Sequence, residues 1–468
     1  QTLIERTMTS TAQNSTNPVN PNLISQMPLT PRHWWIELVS SMEQIIGAAE
    51  STIVGIIIPL LNMMLHPELS AAVQGILGAA GLIGIALGAA VIGPMSDRQG
   101  YLGWFRACAV IVIAGSLIAM ITPNQWVITT GLFVAGLGVG GGYSLDSSYI
   151  SELMPDRSKG LMVGIAKAAS AIGFLLPAVI AILILKADPT PASWRWMLAI
   201  LTAMGVITLG MRIRWAESPG WLLEKGEAEK ALKAAQFFYG PKAEVKQIPS
   251  KTSDSHVSMA TLFKGQNLKR VIYSGIPWAC EGLGVYGIGV FLPVLVMALG
   301  LDPSHASGIP KVINSVEMTA IINFCILPGF VLGLLLVNKL NHAAMMTWGF
   351  IGSAVGMGLL LAAFLLHWPM WVSIAGFVIF ELMLNLGPHL ITYIIPAAIY
   401  PVELRGAGSG IADFLGKVGA IIGVFLMPIL LKSGGMKLVL IVTISVMVLG
   451  ALISAVYSRL LGLGPKKQ

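Results

Sequence analysis

Charge is what this sequence has least of. Only 11% of its 468 residues are Asp, Glu, Lys or Arg, against 55% hydrophobic, and the mean hydropathy is +0.78. A soluble domain carries about 25% charged residues, so the usual water-facing shell is excluded. Cysteine is scarce too. Cys108, Cys280 and Cys325 each fall in an apolar run, with neither a disulfide framework nor metal-ligand spacing, and read as small packing residues. No glycine-rich loop ends in the Lys-Ser/Thr that cradles nucleotide phosphates, and no ATPase or metal-catalysis signature is present. The expectation is therefore no enzyme, no cofactor and no metal. The polar opening stretch, rich in Ser, Thr, Asn and Pro, lacks the charged-then-apolar pattern of a signal peptide. Residues 1–33 read as a flexible cytoplasmic tail. The net charge of +7 and the pI near 9.3 raise nucleic acid as a partner. The Lys and Arg lie between apolar runs, however, where they report topology instead.

Long apolar runs are what is there. Twelve can be drawn, at about 34–62, 70–94, 103–122, 126–151, 160–186, 194–213, 269–298, 308–337, 343–366, 369–396, 405–431 and 436–461. Each is long enough to cross a bilayer as a helix. The expected organisation is a bundle over 34–214, a polar cytoplasmic loop over 215–268, and a second bundle over 269–463. In that loop Leu222, Leu223, Ala231, Leu232, Ala235 and Phe238 share one face of a predicted surface helix. Basic residues concentrate on one side, including those from Arg212 to Arg270. The other side holds only Lys186, Arg195, Lys311, Lys432 and Lys437. This bias places both termini in the cytoplasm. Gly136, Gly138, Gly140, Gly141 and Gly142 admit two readings: close helix packing, or a flexible helix beside a solute path.

Charged signatures recur at matching places in the two halves. "GPMSDRQG" (93–100) and "SELMPDRSKG" (151–160) stand in the first, and "AAIYPVELRGAGSG" (397–410) in the second. Such repetition six spans apart suggests a two-fold carrier that works by alternating access. Asp97, Arg98, Glu152, Arg157, Glu217, Glu403 and Arg405 would then form an ion-pair lattice that closes the inner gate. Lys167 and Lys417 lie roughly 12–18 Å into the fifth and eleventh spans, at equivalent positions. An ionisable residue at that depth is costly and faces a partner or a wet cavity. Two cations there favour an anionic ligand; the bland alternative pairs Lys167 with Glu50 or Asp146, and Lys417 with Asp413 or Glu381. Glu50, Asp146 and Glu281 are the proton-titrating candidates. Glu317 is also intramembrane, and Glu43 reads as a gate or surface residue near the entry of span one.

The 93–100 segment resembles the loop 2–3 signature of the major facilitator superfamily, carried here by Gly93, Asp97, Arg98 and Gly100. Tyr101 and Leu102 replace the usual basic residues. "SELMPDRSKG", "WRWM", "AESPGWLLEKG" and "YPVELRG" resemble the sugar-porter-type branch. "GLGVGGGYSLDSSYISE" (136–152) and "LGPHLITYIIPAAIYPVELR" (386–405) are similar to the phosphate:proton symporters. "PWACEGLGVYGIGVFLP" is similar to these and to the organic-ion and aromatic-acid transporters, and lacks the Gln-Gln of sugar porters. Lys167 stands where a sugar-binding Gln is expected.

The resemblance implies an all-α integral membrane protein, twelve helices in two pseudo-symmetric bundles, with Tyr143, Trp278, Tyr286 and Lys417 at matched substrate-site positions. Lys167 joins them by its depth. His389, after the Gly387-Pro388 break, reads either as a substrate ligand or pH-sensitive group or as a hydrogen-bonded packing histidine. The chain departs from the phosphate pattern where Gly142 and Gly282 replace acids, His389 replaces an Asn, and the paired first-span acids are reduced to Glu50. The function expected is secondary transport of a small anion with protons, by a monomer in the inner or plasma membrane. A sugar or polyol carrier is the runner-up, and a transporter-like sensor or accessory subunit the reading from another class.

Overall fold

A computed structural model describes residues 29–241, 259–301 and 306–463, except the side chains of residues 147, 148, 151, 156, 157, 159, 259, 397, 402, 403 and 405. Among the described residues, eleven apolar helical segments are long enough to cross a membrane. The last of them, Gly406–Leu460, is two spans in one, because Gly435 adopts φ 64° and ψ −166° in its middle. Only a residue without a Cβ enters that conformation freely, so the chain folds back there and the count becomes twelve. Among the described residues pairing is helix on helix throughout, which is the all-α, twelve-span organisation the sequence predicts.

Short polar residues start several spans. The side chains of Ser70, Asn124 and Asn341 accept the backbone N–H of Val73, Trp126 and Ala344. This satisfies donors that the first helical turn leaves free. The outer flanks expose Leu183, Leu335, Val355 and Leu452, while Trp34, Trp35 and Trp348 mark one end and Trp126, Trp196 and Trp371 the other. That distribution suits hydrocarbon between two aromatic belts.

The glycine series resolves toward packing. A Cβ on Gly136 would stand 2.2 Å from the Gly81 carbonyl oxygen, one on Gly140 2.0 Å from that of Ile85, and one on Gly138 2.5 Å from that of Cys108. Span four therefore lies backbone-to-backbone against spans two and three, the approach that small residues permit.

Two expectations about the edges change. The first helix begins at Pro31, inside the stretch assigned to the tail, because Thr30 supplies its N-cap and Pro31 its first turn. Where the sequence predicts one surface helix in the central loop, the described residues form two α-helices, Pro219–Glu224 and Ala228–Tyr239, parted by Gly226 at φ 77°, and a short 3-10 turn at Met259–Phe263. The second buries Ala231, Ala235 and Phe238 as expected, and Arg32 donates to the carbonyls of Gln236 and Phe237 at its C-terminal end. Such a cation satisfies orphan carbonyls and the helix dipole together.

Candidate functional site

The two halves meet unequally. On the face away from the 93–100 loop their backbones touch. A Cβ on Gly55 would stand 1.9 Å from the Val290 carbonyl oxygen, and one on Gly75 2.4 Å from that of Phe425. Lys186 and Glu317 form an ion pair of 2.7 Å across the same seam, which gives the intramembrane Glu317 a partner at the half-exposed rim. Asn323 crosses deeper down, donating to the Phe174 carbonyl at 3.0 Å. Toward the opposite face the halves part around a cavity of about 500 Å3. Ala86, Ala89 and Ala90 from span two and Gly410 from span eleven leave the space, near the ends that carry the charged signatures.

Lys167 and Lys417 both line this cavity, with Tyr143, Trp278, Tyr393 and Asp413. Their arrangement is reciprocal. Lys167, from the first half, lies over the Tyr393 ring of the second at 5.6 Å. Lys417, from the second half, lies over the Tyr143 ring of the first at 4.9 Å. A cation over a ring face is attracted by the quadrupole, but the contact leaves the ammonium donors free for a ligand. Trp278 meets Tyr393 edge to face at 5.8 Å and is seated on Gly416, where a Cβ would stand 2.6 Å from its ring. Lys417 has an acid one turn away, Asp413, at 3.8 Å. Lys167 has no ion pair among the described residues; neither Glu50 nor Asp146 reaches it.

Tyr286 and His389 do not line the cavity. Tyr286 packs against Phe174 with ring centroids 6.2 Å apart. His389 follows the Gly387–Pro388 break in span ten and faces Glu281 and Phe330.

Glu43 and Arg212 were misplaced by sequence reasoning. Arg212, counted among the cytoplasmic basic residues, is fully buried at the end of span six. Its two terminal nitrogens bond both Glu43 carboxylate oxygens, Arg212 Nη2 also donates to the Val39 carbonyl at 2.9 Å, and Asp146 lies 3.7 Å away. Glu43 is thus a buried partner rather than a gate or surface residue. The glycine at 142 makes this possible, since a Cβ there would stand 2.0 Å from Glu43 Cγ. The space a side chain at 142 would take is filled by Glu43 of span one. A signal was present: Glu43 sits seven residues before Glu50, two turns along the same helix face.

Glu50 itself is buried against Gly81, and neither carboxylate oxygen has a hydrogen-bond partner.

Among the predicted gate residues, Arg157, Glu403 and Arg405 lie outside the described side chains. Glu217 accepts the backbone N–H of Tyr101 at 3.0 Å and of Leu102 at 2.9 Å, capping span three. Glu152 accepts the hydroxyls of Tyr101 and Ser218, and the Asp97 carbonyl accepts the Trp221 indole. Among the described residues no ion pair joins Asp97, Arg98, Glu152 or Glu217 to the other half.

Known proteins share this plan along its length. Escherichia coli YgcS, named an inner membrane metabolite transport protein, is 25% identical over 395 residues, covering 83% of each chain. The Bacillus subtilis protein named arabinose-proton symporter is 26% identical, covering 79% of this chain and 80% of its own. A structure of the Escherichia coli xylose transporter XylE, titled partially occluded and inward open, superposes with a TM-score of 0.74 over 90% of this chain and 97% of that one, at 20% identity. The sugar (and other) transporter family profile matches residues 9–458. Twelve membrane-spanning helices, a solute-sized cavity between two halves and that match agree: the chain is a multi-pass membrane protein and a secondary transporter, not an enzyme, and belongs to the sugar (and other) transporter family.

Proposed function

We propose that the transported solute is a small organic anion, moved by alternating access together with protons. The observation that carries this reading is the reciprocal pair of lysines, Lys167 and Lys417, each donated into one cavity by a different half. The walls refine it. Trp278, Tyr393, Phe414 and Val163 offer apolar surface that an inorganic phosphate ion does not use and a carbon skeleton does. The phosphate-like branch is thereby narrowed to a carboxylate-bearing solute, of which a sugar acid such as gluconate is the natural probe. Protons enter through buried carboxylates, with Glu50 first and Asp146 and Glu281 beside it. Asp97, Arg98, Glu152, Arg157, Glu217, Glu403 and Arg405 keep their proposed part in closing the inner side.

A neutral sugar is the second reading, favoured by relatives named glucose transporter and arabinose-proton symporter.

Purified protein in liposomes, offered gluconate, phosphate and glucose with and without an imposed pH gradient, tests both. Gluconate uptake is expected, and Lys417→Gln should weaken its binding more than tenfold, since a charged hydrogen bond contributes about 1.5–3 kcal/mol. Glucose uptake unaffected by Lys417→Gln, with no anion carried, would overturn the anion in favour of the sugar. No uptake of any solute would favour a sensor.

A further inference from the structure

Span ten holds a line of buried polar groups that the solute cavity does not use. Asn385 Nδ2 donates to the Glu381 carbonyl at 2.7 Å and to Glu381 Oε2 at 3.2 Å. A carbonyl oxygen only accepts, so the Asn385 amide is oriented by its partners, and its own oxygen faces His389 Nδ1 at 2.7 Å. His389 Nδ1 therefore carries a hydrogen, and in the neutral ring Nε2 carries the lone pair. That lone pair looks across 3.6 Å at Oε1 of Glu281 on span seven. Both atoms are buried, and neither has a hydrogen-bond partner.

Two lone pairs facing one another inside a protein repel unless a proton lies between them. The backbone is shaped around this spot. Span seven widens into a π-helical turn, Leu283–Ile288, directly after Glu281 and Gly282, and span ten breaks at Gly387 just before Pro388 and His389. Single π turns recur at functional positions in helices. Phe330 of span eight covers the imidazole, its ring centroid 5.0 Å away. The ionisable groups near enough to act on the pair through space are Lys167 from span five, Lys417 and Asp413 from span eleven, and Tyr286 from span seven, with Glu381 beyond Asn385.

We propose that Glu281 and His389 form a site for one proton, filled when an anion occupies the cavity and emptied when it leaves. The step is a protonation only. The Glu281 carboxylate takes a proton from water, and its new O–H donates to His389 Nε2; no other bond changes. With the cavity empty, the Lys167 and Lys417 ammoniums favour the ionised carboxylate. A bound anion neutralises them and favours the proton. By reciprocity the proton strengthens anion binding by the same factor, so the two load together. The site lies in the opposite half from Glu50 and adds a second proton to the carrier. The linkage rests on the anion reading above; the proton site does not.

Infrared spectra of the protein in lipid, titrated with pH in the absence of solute, test the site alone. A titrating carboxyl band is expected in the wild type, absent in Glu281→Gln, and displaced by about one pH unit or more in His389→Gln. An identical carboxyl titration in wild type and Glu281→Gln overturns the proposal, and the isosteric Gln keeps the fold for that comparison. Gluconate added to the same samples tests the linkage. A shift of the Glu281 band toward the protonated form is expected in the wild type. Its absence, with gluconate shown bound by calorimetry, overturns the coupling. If the band titrates but gluconate does not bind, the proton site stands and the anion reading falls.

Discussion

Glu50 shows how much a single residue can ask of its surroundings. It sits on a helix buried on nearly every side, between Ala49 and Ser51, with its oxygens against Gly81 and no donor within reach. A lone carboxylate in such a place is strongly disfavoured as an ion, which suits a group that takes and gives a proton as its half opens and closes. Glu50→Gln should abolish accumulation of gluconate driven by a pH gradient and leave solute-for-solute exchange intact, because exchange never requires the empty carrier to reorient. Counterflow and pH-driven uptake on the same liposomes separate the two. Accumulation that survives the substitution would move the proton elsewhere. Arg212 makes the contrary case. It is buried because Glu43, two carbonyls and the Phe105 face at 4.3 Å meet its charge and its terminal N–H donors.

At the scale of the element, helices carry what glycine and proline write into them. Span four is held against span two at the distance its glycines set, so Gly140→Val forces side-chain atoms into the Ile85 backbone. Overpacking of this kind costs about 1–3 kcal/mol, and the purified variant should unfold at lower temperature in a thermal scan, with its cysteines labelled earlier. An unchanged midpoint would show the two spans are free to separate. The breaks at Gly387, Ala169 and the π turn after Gly282 matter differently, since each falls within a few residues of His389, Lys167 or Glu281.

Elements of this kind were legible from sequence, and contacts between them were not. Apolar length marks a span whatever it packs against, so the twelve runs, including the division between 431 and 436, could be read directly. Lys167 and Lys417 were legible because a charge deep in an apolar run needs a reason. Arg212 was not. Its run ends at Arg212, Arg214 and Glu217, and only the packing of spans one, three and four against it distinguishes a buried guanidinium from a solvated one. Tyr393 was missed for a related reason: a tyrosine on an apolar helix looks like core until a cation from the other half is found above it. The Gly142 departure looked like a lost acid, and only three dimensions show Glu43 in the space it leaves.

For the whole molecule the question is which face is open. The structure closes one face with backbone contacts through Gly55 and Gly75 and leaves the other parted. Gly55→Leu puts a side chain where Val290 O now stands, and relief requires the halves to separate on that face. The variant should shift toward the state open on the face that is closed here. Single cysteines placed near Lys186 and Glu317 should then react faster with a membrane-impermeant reagent, and those near Ser409 more slowly. Unchanged rates at both positions would show that this seam does not set the equilibrium.

The crossed lysines have a consequence for the carrier without its cargo. Each ammonium rests on an aromatic face that belongs to the other half, so the cavity contains two weak bridges between the halves. On the proposed reading a solute that takes hydrogen bonds from the ammonium groups would also draw them off the tyrosine faces. A ligand with one anionic group can displace one bridge and leave the other, whereas a longer ligand with polar groups at both ends can displace both. Selection among solutes would then be exercised through motion as much as through fit: the cargo that frees both halves is the cargo that travels.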